Sequence, residues 1–146
     1  MSDKSEYTIK SGYENMDFMK VTSMLSSAYW SRGIKIDEVR KGATNSALVV
    51  GAFDKKDQIG YARVISDKTR FGYISDVFVD EAYRHKGIGQ MMVSHIIKSE
   101  ELKDVYQWLL YTKDAHGVYS RLGFKALSFP DEWMQIKNER PERKNT

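Results

Sequence analysis

Apolar residues recur along the chain in two periods, and the switches between them lay out the elements. Residues 7–12 alternate with Ile9 inward, the period of a strand. From Asp17 the spacing lengthens: Phe18, Val21, Leu25 and Ala28 share one helical face, which ends near Tyr29 and Trp30 with Gly33 as the break. A second short helix is predicted over residues 37–44, burying Val39 and Ala43. Residues 47–53 form a short apolar strand, Asp54-Lys55-Lys56-Asp57 a polar turn, and residues 58–66 the partner strand of a hairpin. Another polar turn over 66–70 precedes a strand over 71–79.

The stretch from Asp76 to Lys98 changes period within a few residues. Val77, Phe78 and Val79 favour extended chain. A charged turn over 80–83 leads into Arg84-His85-Lys86-Gly87-Ile88-Gly89, after which Met92, Val93, Ile96 and Ile97 recur at helical spacing. The segment reads as strand, glycine loop and helix. A helix start carries unpaired N–H groups and partial positive charge, Gly87 and Gly89 allow close approach, and Arg84 and Lys86 add full charge. These features suit a phosphate or diphosphate, and they equally describe a tight turn with two solvated basic residues. Two nucleotide motifs are excluded: no G-x-x-x-x-G-K-[ST] run exists, and Gly87-x-Gly89 lacks the third glycine of G-x-G-x-x-G.

Beyond a solvated connection over 100–104, residues 105–111 form a strand expected to be buried on both faces. Asp114 is placed to cap a helix through Leu122, which Gly123 ends. Residues 124–129 and 133–137 read as two last strands around Pro130-Asp131. The predicted order is β-α-α-β-β-β-α-β-α-β-β, a mixed α/β fold with a partly antiparallel sheet.

Composition narrows this picture in a few ways. A length of 146 residues suits one domain, 1–146, with its core over about 5–138 and a polar tail over 139–146. With no cysteine there is no disulfide, thiolate metal site or cysteine nucleophile, and no metal is expected. Residues 1–10 lack a signal-peptide core and no run approaches membrane-spanning length, so a cytoplasmic protein without membrane attachment is expected. The net charge of +3 is modest and scattered, which does not indicate nucleic acid.

Arg84-x-x-Gly87-x-Gly89 fits the R/Q-x-x-G-x-G/A pattern of the GNAT superfamily of N-acetyltransferases, and the segment resembles that family further. Val77-x-Val79 matches its hydrophobic strand, Tyr83 precedes the arginine, and Tyr119-x-x-x-Gly123-Phe124 looks like its Y-x-x-x-G-F signature. Glu81 departs where proline is common. Thr112 departs where asparagine is common, which puts one pantetheine contact in doubt. The resemblance implies the GNAT acyl-CoA N-acyltransferase fold, with a mostly antiparallel, splayed central sheet. It also implies acetyl-CoA as cosubstrate and transfer of the acetyl group to a primary amine in a ternary complex. The implied cofactor residues are Phe78, Val79, Arg84, His85, Lys86, Gly87, Ile88, Gly89, Gln90, Thr112, His116 and Tyr119. Backbone donors over 85–90 would cradle the diphosphate, the pantetheine arm would pair with the edge at Phe78-Val79, and Tyr119 would be the general acid. A homodimer through the terminal strands is open to such a chain.

Other roles rest on residue chemistry. Asp76, at the head of the central strand, is the candidate base, with His116 as a second candidate and the alternative of a salt-bridge partner for Asp76. His85 is expected to lend a backbone donor, and His95 to be structural. Tyr29, Trp30 and Arg32 are expected to bind the acceptor, Arg32 through a carboxylate, or else to anchor a helix end. Trp133 and Met134 would wall the same pocket or cover the core. A longer acyl donor, an acyl-CoA-binding sensor or interaction module without turnover, and a small nucleic-acid binder are the competing readings. The acceptor is a small molecule or a protein amine that the sequence does not identify. The absence of a long acidic run weighs against strongly cationic acceptors.

Overall fold

Strands form where period-two segments find a neighbour. The computed structural model describes residues 6–140. In it β1 (Tyr7–Ser11), β2 (Leu48–Asp54), β3 (Asp57–Ser66) and β4 (Phe71–Val79) pair antiparallel in chain order. The short β5 (Gln107–Leu110) joins β4 in parallel. α1 (Phe18–Ser27) and α2 (Ile36–Thr44) cover one face, while α3 (Ile88–Ile97) covers the other and α4 (His116–Ser120) follows β5. The mixed α/β class and the splayed, mostly antiparallel sheet are as the resemblance implied.

Side-chain alternation divides the core in two. Val50, Ile59, Ala62, Val64 and Ile74 meet Ile88, Met92, Val93 and Ile96 of α3 on one face. Val49, Phe53 and Tyr61 meet Phe18, Val21, Leu25 and Val39 on the other. β4 breaks the alternation once. Arg63 pairs with Ser75 and Tyr61 with Phe78, so Asp76 and Val77 together oppose Ala62 in a β-bulge, with Asp76 at φ 56. Because of the bulge, Ile74 and Val77 both pack on the α3 side, and Asp76 turns to the other face.

One buried polar side chain ties α1 to the sheet. Gln58, 1% exposed, accepts from the Asp17 N–H at 2.7 Å and donates to the Gly60 carbonyl at 3.0 Å. Asp17 caps α1 by accepting from the Lys20 N–H at 3.2 Å.

The C-terminal part differs from expectation. Residues 124–129 and 133–137 form no strand; a single 3-10 turn, Pro130–Glu132, interrupts residues 124–140. Strand propensity without a ladder does not hold a strand, and Pro130 removes a donor midway. β5 is therefore an edge, shorter than the expected 105–111, with Tyr106 and Tyr111 exposed rather than buried. α4 is shorter than the expected 114–122. The Ala115 N–H bonds to the Thr112 hydroxyl at 3.1 Å, and Asp114 makes no cap. Trp133 and Met134 are exposed and do not cover the core. Most of the polar tail, residues 141–146, and residues 1–5 lie outside the described residues. Among the described residues no helix is long and apolar enough to cross a membrane.

Replacing Gln58 by leucine keeps its volume but strands the Asp17 N–H and removes one bond to the Gly60 carbonyl. The variant is expected to lose about 1–3 kcal/mol of stability in urea denaturation. An unchanged midpoint would show that these bonds contribute nothing net.

Candidate active site

The site begins where β4 outruns its neighbour. β5 pairs with Phe71, Gly72, Tyr73 and Ile74 and then stops, while β4 continues to Val79. The Asp80 N–H bonds to the Ile59 carbonyl at 2.7 Å, and Gly60 faces Val79 in the register. By antiparallel alternation Phe78 directs its N–H and C=O at β3, and Val79 directs its own into the splay. The Val79 carbonyl accepts only from a side chain there, Arg84 Nε at 2.9 Å. The Arg84 guanidinium also lies 5.1 Å from the Phe78 ring centre.

The glycine loop is pinned at its entry and open at its exit. Asp80 pairs with Lys20 at 3.1 Å, and that bond holds its carboxyl below the usual range. The Tyr83 hydroxyl donates to Asp54 at 2.7 Å, which pushes its pKa up to about 12. His85 at φ 67 and Gly87 at φ 78 then curl the chain into α3, which has no side-chain cap. The N–H groups of residues 85–90 make no hydrogen bond among the described residues. They border a cavity of about 500 Å³ lined by Arg84 and Arg121 and by no acidic residue. Donors without acceptors beside two cations fit a diphosphate, and the free edge at Val79 fits an amide-bearing arm.

Of the other expected cofactor residues, Lys86 lies off this cavity. Gln90 donates through its side chain to the Val118 carbonyl at 3.2 Å, joining α3 to α4. Thr112 is the hydroxyl that starts the α4 turn. His116 bonds the Thr112 carbonyl at 3.1 Å and lines another cavity, which Thr112 and Tyr119 also border.

A second cleft, of about 250 Å³, opens at the splay and brings together Tyr29, Trp30, Asp76, Thr112 and Tyr119. Tyr119 is half-buried against Phe124, burial pushes its pKa up, and its hydroxyl has no partner among the described residues. Asp76 is engaged on both oxygens: Arg63 Nε donates to Oδ2 at 2.7 Å and Trp30 Nε1 to Oδ1 at 3.0 Å. The Trp30 carbonyl takes a bond from Arg140 at 2.8 Å, and Lys113 lies 4.6 Å from the Tyr29 ring centre. Arg32 is exposed and does not line the cleft. His85 is exposed at the loop and His95 lines a groove on the outer side of α3. Among the described residues no group of three or more His, Asp or Glu is placed to hold a metal ion.

Sequence reasoning missed Arg63 and Arg121. Arg63 is a lone charge among Gln58-Ile59-Gly60-Tyr61-Ala62-Arg63-Val64-Ile65, a usable signal, but its partner depended on a bulge. Arg121 sits inside the Tyr119-to-Phe124 signature and reaches the loop only through the α3–α4 packing.

The two glycines of the loop separate structural from steric need. A Cβ at Gly89 meets Val77 and Val79 at 3.9 Å, an ordinary contact, whereas Gly87 holds a left-handed backbone. Gly87→Ala is expected to lower stability by about 1–2 kcal/mol and Gly89→Ala to leave it unchanged or raised in thermal and urea unfolding. Equal effects would mean that the backbone of Gly87 is not the constraint.

Comparison with known proteins agrees with this geometry. A model of the GNAT acetyltransferase domain matches residues 45–126. An uncharacterized N-acetyltransferase, ycf52-like, of Prochlorococcus marinus is 28% identical over 116 residues, which are 76% of this chain and 64% of that protein. The chain thus spans less than two thirds of that relative. A structure from Xanthomonas campestris assigned to the GNAT acetyltransferases superposes with a TM-score of 0.84 at 28% identity, covering 90% of this chain and 93% of that one. One from Clostridium acetobutylicum, described as a predicted acetyltransferase with acetyl-CoA, has a TM-score of 0.68 at 17% identity, covering 90% and 96%, a likeness of fold alone.

Proposed function

Because this chain belongs to the GNAT acetyltransferase family, we propose that it moves the acetyl group of acetyl-CoA to a primary amine by direct attack within a ternary complex. The observation that carries this reading is that the loop N–H groups and the Tyr119 hydroxyl have no partner among the described residues, while between them the Val79 edge is covered by no strand and its carbonyl is met by Arg84 alone. When bound, the cosubstrate supplies an activated acyl carbon in its thioester.

The chain's own residues do the rest. N–H groups over 85–90, with Arg84 and Arg121, hold the diphosphate. Arg84 leaves the Val79 carbonyl as the edge fills. The Val79 N–H faces the splay and stabilises an oxygen that gains negative charge as the amine attacks. Tyr119, kept protonated by burial, gives its proton to the departing thiolate. Asp76, with both oxygens occupied by Arg63 and Trp30, serves to fix Trp30 and orient the acceptor. The amine's proton then leaves through water in the open cleft. His116, bonded to the Thr112 carbonyl and not lining the cleft that holds Asp76, is assigned no proton transfer. In this reading the protein works in the cytoplasm without nucleic-acid or membrane partners, and Tyr29 and Trp30 wall the acceptor.

Tyr119→Phe is expected to lower turnover at least roughly tenfold, read as thiol release over an amine panel, while calorimetric coenzyme A affinity stays unchanged. The ordinary tyrosine value of about 10 is raised here, so the phenol stays protonated from pH 6 to 9. The variant should therefore lower the pH–rate profile without changing its shape in that range. Full turnover in the variant removes the acid role. Cofactor binding without thiol release from any amine would leave a sensor in place of an enzyme.

A further inference from the structure

The cleft that holds Tyr119 carries charge of one sign. Asp76 and Asp114 are its charged residues, and among the described residues no lysine, arginine or histidine lines it. The two carboxylates differ in what they have left to offer. Asp76 has both oxygens occupied, by Arg63 Nε at 2.7 Å and Trp30 Nε1 at 3.0 Å, and the guanidinium offsets its charge. Asp114 is exposed, and its carboxylate has no hydrogen bond or ion pair among the described residues. Its chain neighbour Lys113 lies 4.6 Å from the Tyr29 ring centre and lines no part of the cleft.

Much of the remaining lining is aromatic. Tyr29, Trp30, Tyr73, Tyr111 and Tyr119 bring five rings to a space of about 250 Å³. Tyr29 and Trp30 meet edge to face, their ring centres 5.1 Å apart and their planes at 88°. Such rings favour a flat aromatic body beside them, and their electron-rich faces also attract a cation. A carboxylate entering this space finds no cationic partner in the lining and meets the charge of Asp114.

We infer that the acceptor is a primary amine with an aromatic body and no acidic group, its ammonium docked on Asp114 among the rings. This inference rests on the acetyl-transfer reading and names the acceptor class for it. One unspent carboxylate offsets one positive charge, so the amine that reacts is also the group that docks. The docked ammonium gives one proton to water before the neutral amine attacks, and Asp114 keeps its charge throughout.

Calorimetry in the presence of coenzyme A compares three ligands. Phenethylamine is expected to bind at least about fivefold more tightly than phenylalanine, which adds only a carboxylate, and more tightly than hexylamine, which lacks the ring. Asp114→Asn is expected to weaken phenethylamine binding and to pull its ratio to phenylalanine toward one, with coenzyme A affinity unchanged. Lys113→Met is expected to leave that ratio as it is. Equal binding of phenethylamine and phenylalanine, or a ratio that Asp114→Asn does not move, overturns the inference. So does a loss of phenylalanine binding in Lys113→Met, which would place a cation in the cleft. Hexylamine bound as tightly as phenethylamine overturns the aromatic class. Thiol release from acetyl-CoA is followed with the same amines, and a preference for phenylalanine overturns the inference while transfer itself stands. Thiol release from no amine at all removes the transfer reading, and the binding ratios still decide what the cleft recognises.

Discussion

Everything at this site depends on β4 parting from β5 after Ile74. A parallel pair continuing to Val79 would spend the Val79 N–H and C=O in a ladder and close the cleft over Tyr119. Two devices prevent it. β5 has only four residues and runs into the Thr112 turn that starts α4. β4 carries its bulge at the same level, with Asp76 left-handed at φ 56. A left-handed backbone costs an ordinary residue about 1–2 kcal/mol, and aspartate bears it better than most. The ion pair to Arg63 and the bond from Trp30 hold the aspartate there. The contacts that stabilise the bulge are thus the same ones that place the aromatic wall of the cleft.

The glycine loop is a second case of groups kept unspent by groups that are spent. Lys20 on Asp80 and Asp54 on Tyr83 fix the chain just before residues 85–90, whose N–H groups have no partner among the described residues. Preorganised donors lose little entropy when an anion arrives. Arg84 differs from them: its guanidinium lies on Phe78 and the Val79 carbonyl, bridging loop and edge. In the proposed reaction, filling the edge and freeing Arg84 for an anion are one movement.

How much of this was legible in the sequence follows from the range of each interaction. β1 to β4 and the three longer helices come from local periodicity, and their faces divide as Val50 against Val49 or Ile88 against Leu25 require. The loop was legible because glycine placement is itself local chemistry. The partner of Asp76 was not, since strict alternation from Ile74 aims Asp76 at the α3 core. Only the bulge turns it toward Arg63. Residues 124–137 misled in the opposite sense: their apolar character is real, but nothing in a sequence states which edge receives it. Leu127, Phe129, Met134 and Ile136 remain exposed here.

Two tyrosines show why position, rather than a shifted pKa, singles out Tyr119 for the proposed acid. Tyr61 is completely buried, its hydroxyl has no partner among the described residues, and burial pushes its pKa up. Tyr119 shares the missing partner and the upward shift. By perturbation alone Tyr61 would be the stronger candidate, since strongly perturbed groups cluster at functional sites. Yet Tyr61 lies fully buried in the core that α1 and α2 share with Phe53 and Val21, so no reacting atom reaches it. Tyr119 lines the cleft that the splay opens, beside the strand whose backbone faces the same space. An unsatisfied phenol becomes an acid only where a leaving group can arrive, and in this fold the parting of β4 from β5 supplies that access.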